Sequence, residues 1–98
     1  MTNRITDSML ESRVKRLNQL TDSPLEPYSQ IDGRNVANVG NFHLSYQYGG
    51  VCLHRMYNDA GGVSTPIISY HTNKRHLYEL MNAYADGIMF AHEQAETV

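Results

Sequence analysis

The stretch from Asn38 to Ser64, NVGNFHLSYQYGGVCLHRMYNDAGGVS, constrains the fold of this chain more than any other. Two runs of alternating apolar and polar residues meet at Gly49-Gly50, a pair able to supply the positive φ angles of a two-residue hairpin turn. Pairing across a Gly49-Gly50 loop sets Tyr48 against Val51, Tyr46 against Leu53, Leu44 against Arg55 and Phe42 against Tyr57. Side chains alternate across a strand, so Phe42, Leu44, Tyr46, Tyr48, Val51, Leu53 and Tyr57 share one face, the expected core face. The opposite face carries His43, Ser45, Gln47, Cys52, His54 and Met56. Asn58 to Gly62 reads as a longer turn and Val63 to Tyr70 as a third strand. Pro66 lacks an amide, which places that strand at an edge or breaks it there.

A helix flanks the hairpin on each side. Ser8-Met9-Leu10-Glu11 matches the S-x-x-E capping box and predicts a helix from Ser8 to Leu20. Leu10, Val14, Leu17 and Thr21 form its buried stripe, with Leu20 beside it, while Glu11, Arg13, Lys15 and Arg16 face elsewhere. Asp22-Ser23-Pro24 stops it, and Pro24 and Pro27 predict an extended connector pinned by Tyr28. Asp32-Gly33 marks a turn, with a short strand expected at Asn35 to Asn38. The last element spans about Asn73 to Glu93, capped by Thr72 or Asn73, with Leu77, Leu80, Met81, Tyr84, Ile88 and Ala91 at helical spacing. Gly87 inside it implies either close backbone packing or an exposed turn that tolerates it. The pattern predicts one α+β domain over residues 1–98, with 1–6 and 94–98 frayed. An antiparallel sheet of three or four strands carries both helices on its Phe42/Leu44/Tyr46/Leu53 face. So small a sheet is expected to leave its second face uncovered and to favour a homo-oligomer.

The chain has 98 residues, 41% of them apolar, and a formal charge of −2. That balance is unlike a general nucleic-acid binder, which clusters cations against phosphates. One cysteine, Cys52, excludes an intramolecular disulfide, and no apolar run approaches the roughly 18 residues needed to span a bilayer. No secretory signal pattern opens the chain, so a cytoplasmic protein without membrane association is expected. Seven tyrosines and no tryptophan suit half-exposed sheet positions, interfaces and ligand pockets alike.

Three constellations carry chemistry. His43, Cys52 and His54 combine thiol and imidazole, the ligands zinc takes, with His43 expected diagonally across from His54 at roughly 7 Å. No C-x-x-C or H-E-x-x-H pattern supports a metal site, and the same residues read as a polar sheet face. A Cys52/His54 nucleophile lacks an orienting acid and an oxyanion motif, so no catalysis is expected. Lys74-Arg75-His76 opens the last helix, where cations oppose the helix dipole but favour a bound anion. A solvated surface accounts for the same cluster. Tyr70, His71 and Tyr78 flank it, positioned to stack on a base or meet a partner, with Tyr28 or Arg55 assisting.

Taken in order, LESRVKRLNQLT (Leu10–Thr21), PLEPY (Pro24–Tyr28), NVGNFHLS (Asn38–Ser45), YGGVCLHRM (Tyr48–Met56), GGVS (Gly61–Ser64) and KRHLYELMNAY (Lys74–Tyr84) resemble a group of small phage and prophage open reading frames. The resemblance covers nearly the whole chain. It implies a phage accessory protein acting inside an infected bacterium, without catalytic or binding residues to carry over and without a cofactor. Within that setting the expected function is counter-defence, by sequestering an anionic nucleotide signal at Tyr70, His71, Lys74 and Arg75. The alternatives are an inhibitor or adaptor that docks on a host protein through the exposed sheet face, and a minor virion or assembly component.

Overall fold

In a computed structural model, which describes residues 4–96, Thr6 rather than Ser8 begins the first helix. Thr6 is extended, and its hydroxyl accepts from the Met9 amide at 3.2 Å, so α1 spans Asp7–Leu20. The capping box is overridden by a hydrophobic staple. Ile5 and Leu10 occupy the two staple positions of a Thr6 cap, and both are buried in the core cluster. Ile5 and Thr6 are therefore not frayed, while residues 1–3 of the expected loose N-terminus lie outside the described residues. At the other end Asp22 adopts φ 53°, and Asp22 and Ser23 donate to Gln19 and Asn18 carbonyls, a Schellman ending.

The order continues with β1 (Tyr28–Ile31), β2 (Arg34–Ala37), β3 (Phe42–Gln47), β4 (Gly50–Met56), β5 (Val63–Ser64) and α2 (Lys74–Glu96). The fold is α+β, with two antiparallel sheets: β1-β2, and β3-β4-β5. Tyr28 thus belongs to a strand rather than a connector. β1 and β2 join through Asp32-Gly33, both at positive φ, and every residue of β1 is exposed. α2 is capped by Asn73, whose Oδ1 accepts from the His76 amide. It continues to Glu96, beyond the expected fraying point, and the last two residues lie outside the described range.

The hairpin turns one residue earlier than Gly49-Gly50. Tyr48 (φ 52°) and Gly49 (φ 75°) form the loop, so Phe42 pairs with Arg55, His43 with His54, Leu44 with Leu53 and Tyr46 with Val51. The shift moves every partner by two positions, which preserves the faces. Tyr48 leaves the core face for the turn and is fully exposed, and Tyr57 is exposed beyond the end of β4. Gly50 serves a different need. A Cβ there would lie 3.0 Å from the His71 Cβ and 3.2 Å from the Thr72 carbonyl oxygen.

Both helices pack on the Phe42/Val51/Leu53 face, where Leu10, Val14, Leu17, Leu77, Met81 and Ala85 complete the core. Of the expected α2 stripe, Leu80, Tyr84 and Ile88 are half-buried and Ala91 is exposed. Asn18 lies among the core residues at 1% exposure. Its Oδ1 accepts from the Phe42 amide (2.7 Å) and its Nδ2 donates to the Phe42 carbonyl (3.0 Å), satisfying both backbone groups at the free edge of β3.

The second sheet face is not bare. β5 holds only two residues, paired at Arg55↔Ser64 and Met56↔Val63, and the pairing resumes farther along β4 at Val51↔Thr72. Continued register would bring Ile68 to Val51, so four residues are looped out around Pro66, which has no amide for the ladder. This 65–71 loop covers Cys52, whose thiol donates to the Ile68 carbonyl at 3.4 Å, and both Cys52 and Met56 are buried. The molecule is a slab of 49 × 45 × 22 Å with a radius of gyration of 14.6 Å, against about 13 Å for a compact chain near this length.

Replacing Asn18 by Ala leaves two buried backbone groups unpaired, and urea denaturation should show a loss of about 2–4 kcal/mol. A loss within experimental error would show that the amide does not hold helix to strand. Nothing lies within 4 Å of a Cβ on Gly87, so Gly87→Ala should raise stability by about 0.5–1 kcal/mol, whereas Gly50→Ala should cost about 1–3 kcal/mol by overpacking.

Candidate functional site

The seven residues expected to bind a ligand are spread over three parts of the fold. Tyr28 sits on β1, half exposed, with its hydroxyl near Gly61. Arg55 is a structural residue. Its Nε donates to the Gly40 carbonyl (3.0 Å), Nη2 reaches Ser23 Oγ (3.5 Å), and the guanidinium stacks 4.5 Å from the Phe42 ring centroid. It lies five residues along β4 from Gly50, roughly 17 Å from the strand end where Val51 pairs with Thr72. Arg55 also faces the core side of the sheet, whereas His71 sits over the other side, its Nε2 3.1 Å from Ser45 Oγ.

Tyr70, His71, Lys74, Arg75 and Tyr78 lie at or near the start of α2. Tyr70 and Arg75 are exposed. Lys74 is already paired, its Nζ 3.0 Å from Asp7 Oδ1, which also accepts from the Tyr46 hydroxyl at 3.2 Å. The hydrogen bond from Lys74 holds the Asp7 carboxyl below its ordinary range. Desolvation, then the bond to Asp7, pushes the Tyr46 phenol up to about 12. The helix start therefore carries its own counter-ion, which weakens it as an anion site.

Lys74 and Tyr78 are one helical turn apart and both meet α1. The two helices run side by side in the same direction: Asp7 meets Lys74, Arg13 meets Tyr78 and Arg16 meets Met89. Between them opens a groove of about 350 Å³ lined by Arg13, Arg16, Asn82, Ala85 and Asp86. Arg13 donates from Nη2 to the Tyr78 hydroxyl (3.0 Å) with its guanidinium 5.3 Å from the ring centroid. That hydrogen bond holds the Tyr78 phenol below its usual range. Among the described residues Arg13 Nε is buried with no hydrogen-bond partner, and Arg16 Nη2 donates to the weak acceptor Met89 Sδ at 3.1 Å. A second groove of about 350 Å³ between α1 and the connector is lined by Glu11, Val14, Lys15, Asn18, Leu25 and Glu26, whose two carboxylates repel anions.

The sequence placed Arg13 and Arg16 off the buried stripe, in a local cluster of cations with Lys15 compatible with a small anion site, but did not include them among the expected ligand-binding residues. Their spacing around Val14 and Leu17, and that of Asn82 and Asp86 around Ala85, mark the rims of two apolar faces. Only the helix pairing puts these rims together.

On the opposite sheet face, His43 and His54 are direct cross-strand partners rather than diagonal ones, with ring centroids 5.7 Å apart and edge-to-face. His71 extends the row, 6.3 Å from His54. Desolvation lowers the pKa of both His43 and His54, and a neighbouring imidazole lowers it further, His54 acting on His43 and His71 on His54. Cys52 is 1% exposed, and burial pushes its thiol up. No protein-family model matches this sequence, and no curated protein or solved structure matches it either.

The thiol is buried and donates to backbone carbonyls, and its raised pKa disfavours the reactive thiolate. Cys52 in the folded protein should therefore resist a disulfide reagent at pH 8 and react fully in denaturant. Rapid native labelling would show that the 65–71 loop leaves the thiol open.

Proposed function

We propose that this is a non-catalytic phage counter-defence protein that binds and sequesters a small anionic nucleotide, its phosphate held between α1 and α2. The observation that carries this reading is the Arg13/Arg16 groove, with one guanidinium nitrogen buried and unpartnered. Planar guanidinium donors match phosphate oxygens in pairs, and two arginines outweigh the single carboxylate of Asp86. A volume of about 350 Å³ suits a ligand of mononucleotide size, at the lower end of small-molecule pockets. Tyr78 accepts from Arg13, which leaves its own proton for a ligand oxygen. The proposal moves the phosphate from the Lys74-Arg75 helix start to the neighbouring helix groove, with Tyr78 beside it through its hydrogen bond to Arg13. The compartment is the cytoplasm of the infected cell, and no helix among the described residues is long and apolar enough to cross a membrane.

A second reading, docking on a host protein or on another copy, draws on the slab shape and on exposed Tyr46, Tyr48, Tyr57, Tyr70 and Phe90. The buried Cys52/Met56 face argues against the particular sheet face first expected to dock.

Calorimetry with cyclic, linear and ADP-ribose-type nucleotides separates the two. Micromolar binding that falls at least about tenfold in Arg13→Ala and Arg16→Ala, the loss of roughly one charge-assisted contact each, supports the groove. Absence of binding to every nucleotide, together with a single host protein retained in a pull-down, would replace it with the docking reading.

A further inference from the structure

The side of α1 turned away from the Arg13/Arg16 groove borders the open edge of the sheet, and what it offers is independent of the nucleotide reading. β3 lies at one end of the β3-β4-β5 sheet. In an antiparallel pair, residues that bond the partner strand alternate with residues whose amide and carbonyl point away from it. Phe42 belongs to the second set, because both its backbone groups bond Asn18, and Leu44 and Tyr46 share its phase. β4 repeats that phase: Val51, the partner of Tyr46, bonds outward to Thr72. Asn18 therefore closes the edge at Phe42, while at Leu44 and Tyr46 no strand among the described residues lies against it. The usual edge protections are missing too. Phe42–Gln47 holds no proline and no Lys, Arg, Asp or Glu, and its register to β4 is unbroken.

The second groove runs along this edge. Asn18 lines it and bonds Phe42, and toward the other end of β3 the Tyr46 hydroxyl donates to Asp7 of α1. Glu11 lies near the same ring: desolvation and Asp7 raise the Tyr46 phenol first, and the Glu11 carboxylate adds to the rise. Glu11 to Asn18 covers roughly 10 Å of helix and Phe42 to Tyr46 roughly 13 Å of strand, so the two walls match in length. Val14 and Leu25 supply the apolar surface of the groove, and Leu25 is 54% exposed. Glu11, Lys15 and Glu26 are exposed around it, two carboxylates against one ammonium. Among the described residues neither carboxylate has an ion-pair partner.

We propose that the β3 edge and this groove together bind an extended segment of a partner protein, in which an apolar residue is flanked two positions away on each side by Lys or Arg. The segment joins the sheet as a further strand and exchanges backbone hydrogen bonds with Leu44 and Tyr46. Every second side chain of such a strand points to the helix side of the sheet. The central one covers Val14 and Leu25, and its two neighbours on that face meet Glu11 and Glu26. Main-chain pairing supplies the affinity, and the acidic lining selects the partner. A second copy of this chain is the poorer occupant, because pairing β3 with β3 sets two acidic grooves side by side.

The test is an NMR titration of isotope-labelled full-length protein with the end-capped peptide Thr-Lys-Thr-Val-Thr-Lys-Thr. Saturable shifts of the Leu44 and Tyr46 amides are expected, with slowed hydrogen exchange at both and a Kd on the order of 100 µM or tighter. Glu11→Lys/Glu26→Lys should weaken binding by about tenfold and admit Thr-Glu-Thr-Val-Thr-Glu-Thr instead, while Arg13→Ala should change neither. The lysine peptide methylated on its backbone nitrogens keeps its charge, loses its donors and should not bind. Unmoved Leu44 and Tyr46 amides at millimolar peptide overturn the proposal, as does binding that survives the charge reversal or the methylation. Shifts of these amides on raising protein concentration alone also overturn it, because the edge then takes a second copy.

Discussion

The paired hydrogen bonds between the Asn18 side chain and the Phe42 backbone are the joint on which the rest of the structure depends. A strand edge inside a core is costly, since its amide and carbonyl need partners that apolar side chains cannot supply. Asn18 supplies both from within α1. It thereby fixes the height and rotation of α1 on the sheet and closes the inner end of the β3 edge. The Phe42 ring extends the joint outward, lying 6.2 Å edge-on from Tyr84 of α2 and under the Arg55 guanidinium. Asn41 adds a second tie, holding the connector at Pro24. Helices, sheet and connector meet at two neighbouring residues.

The candidate groove follows from that arrangement. With α1 held on β3 and α2 against β4, the helices lie side by side and in parallel, and their polar rims form one wall each of the Arg13/Arg16 groove. The tie between Asn41 and His43 links the joint to the histidine row on the far face. The row itself is assembled because the ladder on β4 is interrupted. Four residues bulge out between β5 and Thr72, and this loop carries His71 over the sheet.

The strand faces were legible because alternation survives a two-position error in partner choice. Phe42, Leu44, Val51 and Leu53 stay together whether the turn is Gly49-Gly50 or Tyr48-Gly49. The turn itself was misread because two adjacent glycines look equivalent in sequence. One supplies a positive φ and the other makes room for His71, a distinction that needs the neighbouring segment. Asn18 was passed over for a similar reason. It stands in phase with Leu10 and Val14, but hydrophobic periodicity discounts a polar residue whose partner is a backbone 24 positions away. Lys74 and Arg55 read as ligand-binding cations because their partners, Asp7 and the Gly40 carbonyl, are also distant in sequence.

The sequence by itself determined the α+β class, the stripes of both helices, the central hairpin and the sorting of its side chains between two faces. These depend on local periodicities of roughly 3.6 and 2 residues, which act over neighbours a few positions apart. The tertiary structure alone decided where α1 begins under the pull of Ile5, and how far β5 runs before Pro66. It alone decided which cations are neutralised and which polar rims face each other. Each is set by contacts between segments remote in the chain, where burial and the need to pair every buried polar group outweigh local preference.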